Sequence, residues 1–435
     1  MEDNMGKLTL RNFGPIKQFK REIKPFTVLT GQQAGGKSTI AKAVFFFRTV
    51  AQDFINQMQT RNREDLYRTT LEKDLKKRLR NKFLQMFGSS WSMPETMKIR
   101  YEYSKWSTIE IFLTPNHDKE YYNFIDFSFG DQIHEFIKKY QDYAEKAWDE
   151  EALQKLQNDV KSLFSDGYET IYVPAGRSLT TLLTDSLVPL LSPEGRSLDF
   201  CMQFYVQKIS SLRPQLCGGL SEMMNTVLHT TQVKVNQEAL RHLQKLMEKV
   251  LRARYVYDRG EEQLFFDRHR YVKINFASSG QQEAVWVFNL LYFYILHNKK
   301  VFLIMEEPEA HLYPDSQKGM AEAIGLFARA GNQALVTTHS PYILGQFNNM
   351  LYAGELYERA DEQYKKQLHE ILNPLVYLSL IKSDAVHVHD GRADMAILEG
   401  LIKNELIDGV SAEINTEMDR LLAVGWRMDE DKNDA

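Results

Sequence analysis

A lysine and a hydroxyl close the tract Gly31-Gln-Gln-Ala-Gly-Gly-Lys-Ser38, which fits G-x-x-x-x-G-K-[ST]. Gly31, Gly35 and Gly36 let the backbone turn tightly, so that successive N–H groups point inward at phosphate oxygens. Lys37 supplies a mobile cation for the β- and γ-phosphates of a nucleotide, and the Ser38 hydroxyl is a ligand for Mg²⁺. The whole set, with Gln32, Gln33, Ala34 and the following Thr39, is the expected cofactor-binding loop. A second tract, Val301-Phe-Leu-Ile-Met-Glu-Glu-Pro308, ends an uncharged apolar run in two acids. Glu306 suits a Mg²⁺ contact, and Glu307 suits the polarisation of an attacking water. The chemistry implied is binding and hydrolysis of ATP with Mg²⁺.

Such residues must be held by particular elements. Phe26-Thr-Val-Leu-Thr30 reads as a buried strand that delivers the loop. Ile40, Val44 and Phe47 recur on one face of a helix that starts near Gly36, whose positive end faces the same anion. Val301 to Met305 are all apolar, as in a central parallel strand covered on both sides, and ligands of open α/β sheets lie at the carboxyl ends of such strands. A third apolar run, Ala334-Leu-Val-Thr-Thr-His339-Ser340-Pro341, follows after one helix's length, Ser316 to Ala330. That places His339 where it would contact a γ-phosphate.

Between loop and acids stands Ser278-Ser-Gly-Gln-Gln282, a degenerate form of L-S-G-G-Q that departs from it at Ser278 and Gln281. Together with Glu306-Glu-Pro-Glu-Ala-His-Leu-Tyr-Pro314 and Thr337-Thr-His-Ser340, it resembles the ABC/SMC-like, OLD-type AAA-family ATPases of prokaryotes. These include the ATPase subunits of anti-phage systems such as PARIS, Septu and Gabija. Leu8-Thr-Leu-Arg-Asn-Phe-Gly-Pro-Ile16 resembles their first strand, and Ile171-Tyr-Val-Pro-Ala-Gly-Arg-Ser178 a recurrent apolar-Pro-Ala-x-Arg element. The resemblance covers residues 7–48, 171–180 and 255–400. It implies an α/β fold: an ABC-type head with a P-loop parallel sheet, an antiparallel β subdomain and an inserted helical lobe. It also implies composite sites in a homo-oligomer, where Ser279, Gly280 and Gln282 contact ATP held by the opposite subunit.

Composition agrees with a globular protein: 43% hydrophobic, 26% charged, net charge −4. That charge gives no global pull towards nucleic acid, so DNA contact would need a local patch. Cys201 and Cys217 lack metal-ligand spacing and read as reduced thiols. No signal peptide is read, and Ala284 to Leu296 is too short and too interrupted by Asn289 to span a bilayer, so a cytoplasmic location without membrane contact is expected.

The expected division is residues 1–115 as the first part of the head, 116–254 as a mainly helical insertion with a returning head segment near 170–180, 255–428 as the second part of the head, and 429–435 as a disordered tail. Helical periodicity marks Ile133 to Ala147, Leu153 to Leu163 and Leu240 to Val250, without sustained heptads, so no long coiled coil is expected. Ile99 to Phe112 and Tyr255 to Phe266 read as strand pairs. The basic run Lys73, Lys76, Lys77, Arg78, Arg80 and Lys82 reads as a solvated helix face or a track for a phosphate backbone. No acidic cluster of the TOPRIM kind follows His339. Two functions fit: a sensor or regulator, triggered by a phage protein, that controls a separate effector such as a nuclease, or a DNA-transacting clamp or repair ATPase.

Overall fold

Phe26–Thr30 is buried at every residue because it lies inside a parallel sheet, with a neighbour on each side. The computed structural model describes residues 6–89, 93–115, 123–143, 148–164, 167–178, 198–216, 219–230, 235–258, 260–398, 401–409 and 416–418. In chain order the first strands are β1 (Lys7–Phe13), β2 (Ile16–Glu22) and β3 (Phe26–Thr30), followed by α1 (Lys37–Arg48), α2 (Val50–Thr60), α3 (Arg63–Arg68) and α4 (Leu71–Phe87). Next come β4 (Lys98–Glu102), β5 (Thr108–Pro115), β6 (Asn123–Phe129), α5 (Asp131–Tyr140), α6 (Glu150–Phe164) and β7 (Glu169–Val173). Helices α7 (Phe200–Leu212), α8 (Gly219–Thr230) and α9 (Gln237–Leu251) lead to β8 (Arg254–Asp258), β9 (Glu261–Phe265) and β10 (Tyr271–Lys273). The chain continues through α10 (Ser279–Leu296), β11 (Val301–Glu306), α11 (Pro314–Arg329), β12 (Gln333–Thr337), α12 (Pro341–Arg359) and α13 (Glu362–Ile371), then β13 (Ser383–His389) and β14 (Arg392–Met395).

The central sheet runs β14-β13-β3-β12-β11-β7, with only β14 antiparallel to its neighbour. Its register sets Glu306 beside Thr337 and Thr337 beside Leu29, so three strands end together. A second, antiparallel sheet runs β2-β1-β4-β5-β6. This is the mixed α/β head expected from the sequence.

Two cores lie on opposite faces of the central sheet. One joins α1, α2 and α4 to the antiparallel sheet, α5 and α6. The other joins α7 to α12. One expected boundary is corrected. The boundary at 115/116 falls between β5 and β6, which pair from Ile109↔Phe129 to Pro115↔Asn123. The helices between 131 and 251 pack their apolar faces into both cores of the head. The basic run on α4 is corrected too: Lys82 is buried against Asp53, Arg78 pairs with the same carboxylate, Lys76 pairs with Glu72, and Arg80 donates to the Ile125 carbonyl. Only Lys73 and Lys77 are exposed there. Cys201 is buried, which pushes its thiol up. Cys217, Ala144, Ala147 and the tail 429–435 lie outside the described residues. Among the described residues, no helix is long and apolar enough to cross a membrane and no group of three metal-ligating side chains forms.

Candidate functional site

The loop after β3 is built from left-handed backbone. Gly31, Ala34 and Gly36 have φ of 134°, 60° and 104°. Alanine tolerates that region poorly, at about 1 kcal/mol, and such strain gathers at binding loops. A methyl group at Gly31 would collide with the Val388 carbonyl of β13, and one at Gly36 with Ile16. Gly36 caps α1 without a side chain, so the first N–H groups of that helix stay available to an anion. Gln32, Gln33, Ala34 and Ser38 are exposed, Gly35 and Thr39 half-buried, and Lys37 buried. The Lys37 ammonium donates to the Gly31 and Gln32 carbonyls at 2.7 and 2.9 Å. Burial holds its pKa below the usual lysine value, and Glu307 and Glu309 oppose that shift.

Glu306 ends β11 with a buried carboxylate. Its Oε2 accepts from the Ala175 N–H at 3.4 Å, while Oε1 is buried without a hydrogen-bond partner. A buried carboxylate is costly unless donors or a cation meet it, and its charge and oxygen ligands fit Mg²⁺. Tyr172, beneath it, has its phenol pushed well up by burial and by the Glu306 charge. Glu307 follows at φ 44° with a half-exposed side chain, and its N–H donates to the Thr337 carbonyl at 2.9 Å.

His339 stands at the exit of β12, more than half exposed. Its Nδ1 lies 3.9 Å from Glu307 and 3.3 Å from Glu309. Glu309, which the sequence reading left without a role, is buried, and its Oε1 accepts from the Thr338 hydroxyl and the His339 N–H, both at 2.9 Å. A third acid in the tract that already held two was the available signal.

The signature tract opens α10. Its two departures from L-S-G-G-Q form a capping box: Ser278 accepts from the Gln281 N–H, and Gln281 accepts from the Ser278 N–H. Ser279 is exposed, while Gly280 is packed so closely on the His311 carbonyl that no side chain fits. Gln282, expected to reach a partner's nucleotide, is turned inward instead. Its amide donates to the Ile274, Asn275 and Ala277 carbonyls and holds the turn before the helix.

Arg177, on the segment after β7, is fully buried and donates to the Glu306 and Glu307 carbonyls. It pairs at 3.5 Å with Glu283, a charge the sequence reading passed over; its signal was an acid between a capping box and a long apolar helix.

A family model described as the AAA ATPase domain matches residues 5–344. The chain belongs to the AAA ATPase domain family. Within that family match lie the loop at Lys37, the signature tract, the paired acids and His339. No curated protein matches the chain. Among solved structures, this AAA ATPase domain is similar to an SMC head bound to the C-winged helix domain of ScpA. The identity is 14%, 90% of this chain and 96% of that one are covered, and the TM-score is 0.42. It is also similar to an SMC head with an extended coiled coil bound to the C-terminal domain of ScpA, from Pyrococcus furiosus, at 13% identity, 94% and 100% coverage and a TM-score of 0.38. The SMC head domain from Thermotoga maritima matches at 12% identity, 91% and 99% coverage and a TM-score of 0.35. All three scores lie below 0.5, and membership of the family rests on the domain model.

Proposed function

We propose that this AAA ATPase domain protein binds ATP with Mg²⁺ and hydrolyses it at a site shared between two heads. The observation that carries the reading is the meeting of Lys37, Glu306, Glu307 and His339 at the aligned ends of β3, β11 and β12. The loop from Gly31 to Thr39 cradles the phosphates, and Lys37 moves from its carbonyl partners to the β- and γ-phosphates. Ser38 and Glu306 hold Mg²⁺, which neutralises phosphate charge. Glu307 orients the attacking water, and His339 contacts the γ-phosphate. Ser279 and Gly280, at a helix end with no nucleotide of their own, face the nucleotide of a second copy. Gln282 supports that end from behind.

The biological reading rests on the resemblance described under Sequence analysis: a regulator in anti-phage defence, oligomeric and cytoplasmic, that answers a phage-protein trigger and controls a separately encoded effector such as a nuclease. Steady-state ATP turnover by the full chain, compared with Glu307→Gln, tests the chemistry. Phage challenge of cells carrying the chain alone or with its genomic neighbour tests the role. Protection by the chain alone, or DNA cleavage by the purified protein, would overturn the two-component reading.

A further inference from the structure

The turn from Glu307 to His311 has left-handed backbone at both ends, φ 44° and 56°, on residues that rarely adopt it. Within the turn, the Ala310 N–H donates to the Glu307 carbonyl and the Leu312 N–H to the Glu309 carbonyl. The Glu307 N–H donates to the Thr337 carbonyl and holds the leading end from the β12 side. Two buried charges act on the turn from the other side. Arg177 grips the leading end, with Nη1 at 3.0 Å from the Glu306 carbonyl and Nη2 at 3.2 Å from the Glu307 carbonyl. Glu283 grips the trailing end, with Oε1 at 2.9 Å from the His311 Nδ1. The two grips are joined to each other, Arg177 Nη2 lying 3.5 Å from Glu283 Oε2.

Neither charge reaches solvent, with side-chain exposures of 1% and 0%. A desolvated pair is weak evidence for stability, since apolar residues of like volume often serve as well. The pair therefore calls for another account, and its position supplies one. Glu283 stands one turn into α10, on the helix whose first turn carries Ser279 and Gly280, and Gly280 is seated on the His311 carbonyl. The helix end that would meet a second copy and the acid that would orient water are thus fastened to the same short turn from opposite sides.

We propose that Arg177 and Glu283 form a buried brace across the 307–311 turn, setting the orientation of Glu307 and tying it to the signature end of α10. Both are positioning residues: they touch the backbone and His311, not the reacting atoms. A shift of the first turn of α10 pulls on Glu283, then Arg177, then the Glu307 carbonyl, and so re-aims the Glu307 side chain. Pairing of heads at Ser279 would then be felt at Glu307 of the same chain. This rests on the ATPase reading above for its catalytic consequence, but not for the brace itself.

The test uses the full chain with an apolar replacement, Arg177→Met with Glu283→Leu, which removes both charges together, and with Glu283→Gln as a second variant that keeps the shape. The first readout needs no nucleotide. Hydrogen exchange should rise about tenfold or more at two separate places, the amides of Glu307, Ala310 and Leu312 and those of Gln281 and Gln282, in both variants. A rise confined to one of the two places, or none, overturns the brace. The second readout is catalysis: turnover should fall about tenfold or more while ATP affinity stays within about threefold. Adding Glu307→Gln should remove most of that fall, because a brace has nothing left to aim. Wild-type turnover in the apolar variant, or a fall of equal size in the Glu307→Gln background, overturns the positioning role. Absence of turnover in the wild type would sink the ATPase reading alone, and the exchange measurement would still decide the brace.

Discussion

The Nδ1 atom of His339 lies 3.3 Å from Glu309 and 3.9 Å from Glu307, so the histidine leans on a buried acid rather than on the exposed one beside it. Glu309 also accepts from the His339 N–H and the Thr338 hydroxyl, which fixes it in place. The buried carboxylate thus sets the place of the loop that carries the imidazole and puts a negative charge beside its Nδ1 edge. Glu309→Gln keeps the shape and removes the charge. Turnover should fall about tenfold or more, about 1.4 kcal/mol in the barrier, with KM little changed. Steady-state kinetics decide it, and an unchanged kcat would remove Glu309 from the account.

Glu307→Gln should bind ATP as the wild type does and turn it over at least about tenfold more slowly. Filter binding and phosphate release measure the two halves separately. Equal turnover in the two proteins would end the assignment of Glu307.

Lys37→Ala removes a buried ammonium that leans on the Gly31 and Gln32 carbonyls and faces Glu307 and Glu309. Nucleotide affinity should drop about tenfold or more, about 1.4 kcal/mol, as read by titration calorimetry. Affinity that ignores this change would discredit the loop itself.

Pairing of heads predicts complementation. Lys37→Ala and Ser279→Arg subunits should each be inactive alone and recover part of the activity when mixed, since a mixed pair keeps one intact site. Activity per head that is independent of protein concentration, with no oligomer formed in ATP, would refute the shared site.

Asp53 is the partner of buried Lys82, at 2.5 Å, and also of Arg78. Asp53→Ala leaves the Lys82 charge uncompensated, and burial already holds that ammonium below the usual lysine value. Stability should fall by roughly 3 kcal/mol, measured by urea unfolding. Lys82→Met with Asp53→Leu should recover most of the loss, because the buried ammonium is gone and Arg78, a third exposed, reaches water.

The strands of the candidate site were legible because they pair a short, strict residue pattern with a buried run: β3, β11 and β12 begin and end close to where their apolar runs do. The signature tract opens a helix, and its internal geometry was not legible. The degenerate positions Ser278 and Gln281 turned out to be a helix cap, and Gln282 an inward anchor. Local capping chemistry explains those residues, whereas a family pattern describes only the surface they present. The packing of the middle was less legible for a different reason. Amphipathic periods in α5, α6 and α9 announce a helix with one apolar face, but not whether that face meets other helices in a lobe or the sheet of the head. The basic run on α4 failed likewise, because Asp53 and the Ile125 carbonyl reach it from distant positions. Tyr140 and Tyr143 pack edge to face on each other and against Trp148, and Tyr140 donates to Asp159.

Along β11 the side chains alternate between the two cores. Val301, Leu303 and Met305 face the side that carries α10, while Phe302 and Ile304 face the side that carries α1. One hexapeptide therefore touches both halves of the proposed reaction without belonging to either. Conservative swaps at 302 and 304 press on the helix that grips nucleotide, and swaps at 301, 303 and 305 press on the helix that would greet a second copy. A genetic screen confined to these few codons should sort its alleles by parity, even positions disturbing capture and odd positions disturbing partnership.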